Sequence, residues 1–144
     1  MVRKRRGRQS AVSRWREVSR GRYLLDSHIL IWLDKGSERL KLPVLERLRF
    51  AEQRYLSAAT AWELSLKQAA GKLTLQKPIS AMLGAFNLLE LPVTIRHGDQ
   101  AALLPLHHSD PFDRMLVAQA LVEGLILVTA DQELAQYGVP VLLV

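Results

Sequence analysis

From Arg22 onward the chain alternates strand-length apolar runs with segments of helical period, and this alternation constrains its fold more than any other feature. Arg22-Tyr23-Leu24-Leu25 reads as a buried strand, Tyr55-Leu56-Ser57 as a second, and Leu91-Pro92-Val93-Thr94-Ile95 as an extended segment whose proline suggests a sheet edge. Leu125-Ile126-Leu127-Val128-Thr129 and Val139 to Val144 complete the set of strands. Between them the pattern predicts helices over Ser27 to Asp34, Pro43 to Glu52, Ala58 to Ala70, Ile79 to Leu89, Gly98 to Leu104, Pro111 to Glu123 and Gln132 to Tyr137. Repeated strand-then-helix units build an α/β fold around a mostly parallel sheet.

The net charge of +6 suggests nucleic acid until it is divided along the chain. Residues 1–22 hold nine Lys/Arg and a single Glu, whereas the remaining residues hold eleven Lys/Arg against thirteen Asp/Glu. The basicity belongs to an N-terminal extension, and residues 23–144 form a mildly acidic domain. The extension has too few apolar residues to offset the entropy of ordering it and is expected to be disordered. It reads either as an arm for RNA phosphates or as a solvated extension. No apolar run reaches the roughly 20 residues needed to cross a bilayer. The chain contains no cysteine, which excludes disulfides, thiolate metal sites and a cysteine nucleophile and suits a cytoplasmic location.

In open α/β sheets, ligands bind just beyond the carboxyl ends of the strands. Four acidic residues fall at such junctions: Asp26 directly after the first strand, Glu63 early in the helix after the second, Asp113 in the first turn of the helix opened by Asp110-Pro111, and Asp131 two residues after Thr129. Each has an ordinary structural use. Asp26 and Asp110 are good N-caps, Asp113 suits a helix dipole, Glu63 completes a capping box from Thr60 or pairs with Lys67, and Asp131 lies within a Thr129-to-Gln132 box. A parallel sheet nevertheless gathers all four at one edge. Two carboxylates about 5 Å apart repel by roughly 3 kcal/mol at an effective dielectric of about 20, so such a cluster calls for a cation or raised pKa values. With oxygen ligands only, the cation should be hard, Mg²⁺ or Mn²⁺.

Four segments carry a family resemblance: residues Leu24 to Leu33 around Asp26, Ser57 to Lys67 around Glu63, His108 to Ala120 around Asp113, and Leu127-Val128-Thr129-Ala130-Asp131. In this order and spacing, from about Tyr23 to Val144, the sequence resembles the PIN-domain family, and within it the toxin ribonucleases of bacterial VapBC toxin–antitoxin modules. The resemblance implies a three-layer α/β/α fold, RNA as substrate, Mg²⁺ or Mn²⁺ held by the quartet Asp26, Glu63, Asp113 and Asp131, and a 5′-phosphate product. It also implies a cognate antitoxin protein and a homodimer. Asp26 and Asp113 are the strongest metal ligands. Glu63 is expected to act through water or to orient the nucleophile, and Asp131 to lie further out or to serve a second metal. Thr129 matches a small polar position beside the metal, assigned to substrate binding. Arg114 reads equally as an RNA-phosphate contact or as a support for a carboxylate, and Asp110 as a cap rather than a ligand.

His107-His108 lacks the spacing of a zinc motif, because adjacent side chains diverge. His28 suits a core or surface position as well as a phosphate contact, and Trp32 and Trp62 read as packing residues. Two other functions compete. One is a catalytically silent PIN-like domain that binds RNA or protein; the other is a phosphotransferase with Asp26 as nucleophile, disfavoured because its second acidic position is here His28.

Overall fold

The computed structural model describes residues 20–144, so all but the last three residues of the expected basic extension over residues 1–22 lie outside the described residues. Strand β1 (Arg22–Leu25) leads through α1 (Ser27–Lys35) and α2 (Leu42–Arg49) to β2 (Gln53–Ser57). Helices α3 (Ala58–Ala69) and α4 (Ile79–Ala85) precede β3 (Leu89–Leu91), and α5 (Ile95–Leu103) and α6 (Pro111–Glu123) precede β4 (Ile126–Thr129). A 3₁₀ helix (Gln132–Tyr137) and β5 (Val141–Leu143) finish the chain. The sheet order is β3-β2-β1-β4-β5, and every pairing is parallel. β1 is central because its residues are apolar on both faces. Tyr23 and Leu25 join Ile29, Leu30, Leu48 and Leu64 in one core, while Leu24 joins Leu116, Val117 and Leu134 in the other. Each face of the sheet therefore carries its own helical layer, the expected α/β/α arrangement.

The order also creates a topological switch. The chain builds outward from β1 to β2 and β3, then returns to lay β4 and β5 on the opposite side, so the crevice opens beyond the carboxyl ends of β1 and β4.

Boundaries depart from expectation in several places: the helix expected over Pro43 to Glu52 ends at Arg49, and of the extended segment expected over residues 91–95 only Leu91 is strand, since Thr94 caps a helix that Ile95 begins. The helix predicted over Ile79 to Leu89 stops at Ala85, and Leu89–Leu91 is instead the edge strand β3. Asn87 makes the reversal at φ 54, a left-handed conformation that asparagine tolerates better than most residues. Helix α5 starts at Ile95 rather than Gly98, because Thr94 caps it and the His97 side chain reaches back to the Thr94 N–H. A histidine in the position usually taken by Glu or Gln hides that capping box from a sequence search. Among the described residues, no helix is long and apolar enough to cross a membrane.

Candidate active site

Asp26 extends the sheet before it starts a helix. Its N–H donates to the Val128 carbonyl at 3.1 Å, carrying the β1–β4 pairing one residue further. Its Oδ1 then caps α1, accepting from the backbone N–H groups of His28 (3.0 Å) and Ile29 (3.2 Å). The Thr129 hydroxyl donates to Asp26 Oδ2 and accepts from the Asp131 N–H at 3.0 Å. One hydroxyl at the end of β4 thus links the Asp26 carboxylate to the backbone of Asp131. Asp26 is buried, and burial pushes its carboxyl above the usual range against the opposing pull of the Thr129 hydroxyl and the capping N–H groups.

Asp113 is brought in by the start of α6. Asp110 caps that helix, its Oδ1 accepting from Phe112 N–H (2.8 Å) and Asp113 N–H (3.1 Å). Pro111 stands in the first turn, where a missing N–H costs nothing. The Asp113 carboxyl is pushed up to about 6 by burial first and then by the charge of Asp110, with Asp26 and Glu63 adding to the rise and His108 opposing it. Glu63 is buried on α3, and Lys67 Nζ lies 3.3 Å from its Oε2. Asp131 caps the 3₁₀ helix through Oδ1, accepting from Glu133 N–H at 2.9 Å. Its Oδ2 points back toward the cleft, 3.3 Å from His108 Nε2.

The four carboxylates thus come from separate segments. Asp26, Glu63 and Asp113 are close enough for the first two to raise the pKa of the third, and Asp131 meets Asp113 through His108, whose Nε2 lies 3.4 Å from Asp113 Oδ2. His108 Nε2 and carboxylate oxygens of Asp113 and Asp131 all fall within 4.8 Å of one another. Burial and like charge both disfavour ionisation of Asp113, and a divalent cation relieves that conflict, so the oxygen-rich donor set fits a hard metal ion.

Several residues sit differently from expectation. Thr129 is fully buried and both of its hydrogen-bonding roles are used, so it positions Asp26 and Asp131 rather than touching a substrate. Arg114 does not face the cleft as a phosphate contact. Its guanidinium donates to the carbonyls of Ala101 (2.9 Å), Leu104 (2.9 Å), Pro105 (2.8 Å) and His108 (3.3 Å). These are the orphan acceptors at the end of α5 and in the loop behind it, and only a planar fork of donors reaches all four. Arg114→Ala is expected to cost about 1–2 kcal/mol, less than the bonds suggest because water can reach the freed carbonyls. Hydrogen exchange at residues 104–110 should accelerate in this variant, and Arg114→Lys should not restore protection. Unchanged exchange in the alanine variant would refute the clamp.

Trp62, expected to pack, is 62% exposed and meets Phe112 edge-on at 5.4 Å. His107 turns away to Tyr137 at 5.2 Å, while His108 turns into the cleft. His108 is the site residue missed from sequence; its signal was its place two residues before the Asp110 cap.

Likeness to known proteins agrees with this geometry. The chain is 28% identical over 120 residues to ribonuclease VapC22 of Mycobacterium tuberculosis, an alignment covering 81% of this chain and 92% of that protein. Its fold is similar to that of VapBC2 from Rickettsia felis bound to a promoter DNA fragment, with TM-score 0.66, 14% identity, and coverage of 85% of this chain and 98% of the other. DNA-bound VapBC from Salmonella typhimurium is similar at TM-score 0.65 and 19% identity, covering 84% of this chain and 96% of the other. The family model of the PIN domain matches residues 23–140, the same span that carries both cores and all four carboxylates, and the chain belongs to the PIN domain family.

Proposed function

We propose that this protein is a metal-dependent endoribonuclease, the toxin of a toxin–antitoxin pair, using Mg²⁺ or Mn²⁺ to hydrolyse RNA phosphodiester bonds. The observation that carries this reading is the convergence of Asp26, Glu63, Asp113 and Asp131 at the switch point, with Asp113 raised to about 6 by burial and by the charges of Asp110, Asp26 and Glu63. The similarity to a ribonuclease over most of both chains supports the substrate class.

Asp26 and Asp113 are the primary metal ligands in this reading, with Asp131 outside them. A bound divalent cation supplies a water of lowered pKa and neutralises charge on the phosphate oxygens. Glu63, held by Lys67 at 3.3 Å, would accept a hydrogen bond from the attacking water and aim it at phosphorus. Attack opposite the 3′-oxygen breaks the P–O3′ bond and leaves a 5′-phosphate and a 3′-hydroxyl. Asp110, engaged with two backbone N–H groups, serves as the helix cap. The acidic body repels RNA, so the cation and the basic N-terminal residues supply the attraction. An antitoxin segment placing a basic side chain among these carboxylates would oppose the same charge and keep the enzyme silent, and a homodimer is the expected assembly.

Purified full-length protein is expected to cleave RNA with Mn²⁺ or Mg²⁺ and to stop when a chelator is added. Cleavage that persists in chelator would overturn the metal mechanism. RNA binding without cleavage, lost on removing residues 1–22, would favour a silent binding domain instead.

A further inference from the structure

His108 occupies a position that the proposed mechanism does not use. The Asp110 N–H donates to its Nδ1 at 3.1 Å, so Nδ1 is the acceptor and the ring proton resides on Nε2. That Nε2–H points among three carboxylates, 3.4 Å from Asp113 Oδ2, 3.3 Å from Asp131 Oδ2 and 3.9 Å from Glu133 Oε2. The backbone carrying the ring is held as well. Arg114 Nη1 and the Tyr137 hydroxyl both donate to the His108 carbonyl, at 3.3 Å and 3.5 Å.

We propose that His108 is a positioning residue whose Nε2–H ties the Asp131 carboxylate to that of Asp113, holding the outermost acid of the site within reach of the metal. Asp131 needs such a tie. It lies in the short connection after β4 with its side chain 38% accessible, and among the described residues its only other side-chain anchor is the Glu133 N–H. Without the donor, like charge drives Asp131 away from Asp113 into water. The same tautomer argues against His108 as a metal ligand, because a lone pair on Nε2 requires a proton on Nδ1, facing the Asp110 N–H. A carboxylate can still bind the metal through one oxygen while the other accepts from the imidazole, the arrangement by which outer partners commonly orient ligands.

The inference rests on the metal-dependent reading, so its test uses full-length protein and Mn²⁺ alone, without RNA. Free Mn²⁺ measured by electron paramagnetic resonance should show His108→Ala binding roughly 10-fold more weakly than wild type, the lower end of the usual effect of removing such a partner. His108→Gln, which keeps an N–H near the Nε2 position, should recover most of that loss. Nitrogen NMR of the metal-free protein should show Nδ1 unprotonated and Nε2 protonated at His108. Wild-type affinity in the alanine variant, a glutamine variant as weak as alanine, or the opposite tautomer would overturn the proposal. Failure of wild type to bind Mn²⁺ would remove both this role and the metal mechanism. Mn²⁺ binding with the predicted pattern but no RNA cleavage would leave His108 in place and refute only the ribonuclease reading. Thermal melts of each variant separate loss of affinity from loss of fold.

Discussion

Asp113→Asn is expected to abolish RNA cleavage while making the metal-free protein more stable at pH 8. The two effects have one cause. The Asp113 carboxyl is raised from its ordinary 3.8 to about 6 by burial and by the charges of Asp110, Asp26 and Glu63. A carboxyl whose folded value is raised favours folding while it is protonated. Its contribution is therefore complete below about pH 4 and is lost as the pH climbs through about 6. At pH 8 the ionised group destabilises the metal-free fold by roughly 3 kcal/mol, and asparagine removes that penalty. The expected gain is several degrees in melting temperature at pH 8, shrinking toward zero near pH 4. Against this, losing a metal ligand that carries several kcal/mol of transition-state stabilisation lowers the rate by roughly three powers of ten. Mn²⁺ binding by the wild type should weaken as the pH falls below about 6, because protons compete for the same oxygens. Activity above a tenth of wild type, or a melting temperature at pH 8 no higher than wild type, would show that Asp113 is not the strained ligand described.

Thr129→Val is expected to cause the largest loss of stability of any single change near the site, although it alters no carboxylate. The substitution keeps the shape and removes the hydroxyl that donates to Asp26 and accepts from Asp131 N–H. A buried carboxylate oxygen then loses its donor and a backbone N–H its acceptor, together about 2–4 kcal/mol. The hydroxyl also holds the Asp26 pKa down against burial, so its removal drives that pKa further upward. Since a raised carboxyl favours folding only while protonated, the deficit of the variant should grow with pH and be smallest in acid. Denaturant unfolding at pH 5 and pH 8 measures this, and Mn²⁺ affinity should fall alongside. Thr129→Ser retains the donor and should restore most of both. A valine variant within about 0.5 kcal/mol of wild type would refute the linking role, since surface changes with no specific partner fall in that range.

Much of the site was legible because it is built from local rules. Asp26 and Asp110 announce themselves as caps after a strand or before an apolar helix, and each does cap its helix; Asp131, expected inside a box opened by Thr129, is itself the cap of the 3₁₀ helix. A parallel sheet then has only one edge at which such junctions collect, so residues far apart in the chain could be assigned to one cleft before any coordinate was known. Arg114 and Thr129 were misjudged for the opposite reason. Both are polar residues beside acids, and nothing in their sequence neighbourhood says whether a side chain turns to solvent or inward. The Arg114 direction follows from the carbonyls that gather at the end of α5 and in the loop behind it, and the Thr129 direction from the Asp26 carboxylate and the Asp131 N–H that its hydroxyl bonds.

His108 marks the same boundary most clearly. The order of strands and helices, the acidic quartet and the preference for a hard cation all follow from the sequence, because periodicity, caps and charge repulsion act over a few residues or through one topological rule. Which way the imidazole points, and that its Nε2 rather than its Nδ1 faces Asp113 and Asp131, was decided only by tertiary structure. That orientation is a sum of contacts near and far in sequence, the Asp110 N–H on the ring and the Arg114 fork and Tyr137 hydroxyl on the carbonyl behind it, and no local pattern encodes that sum.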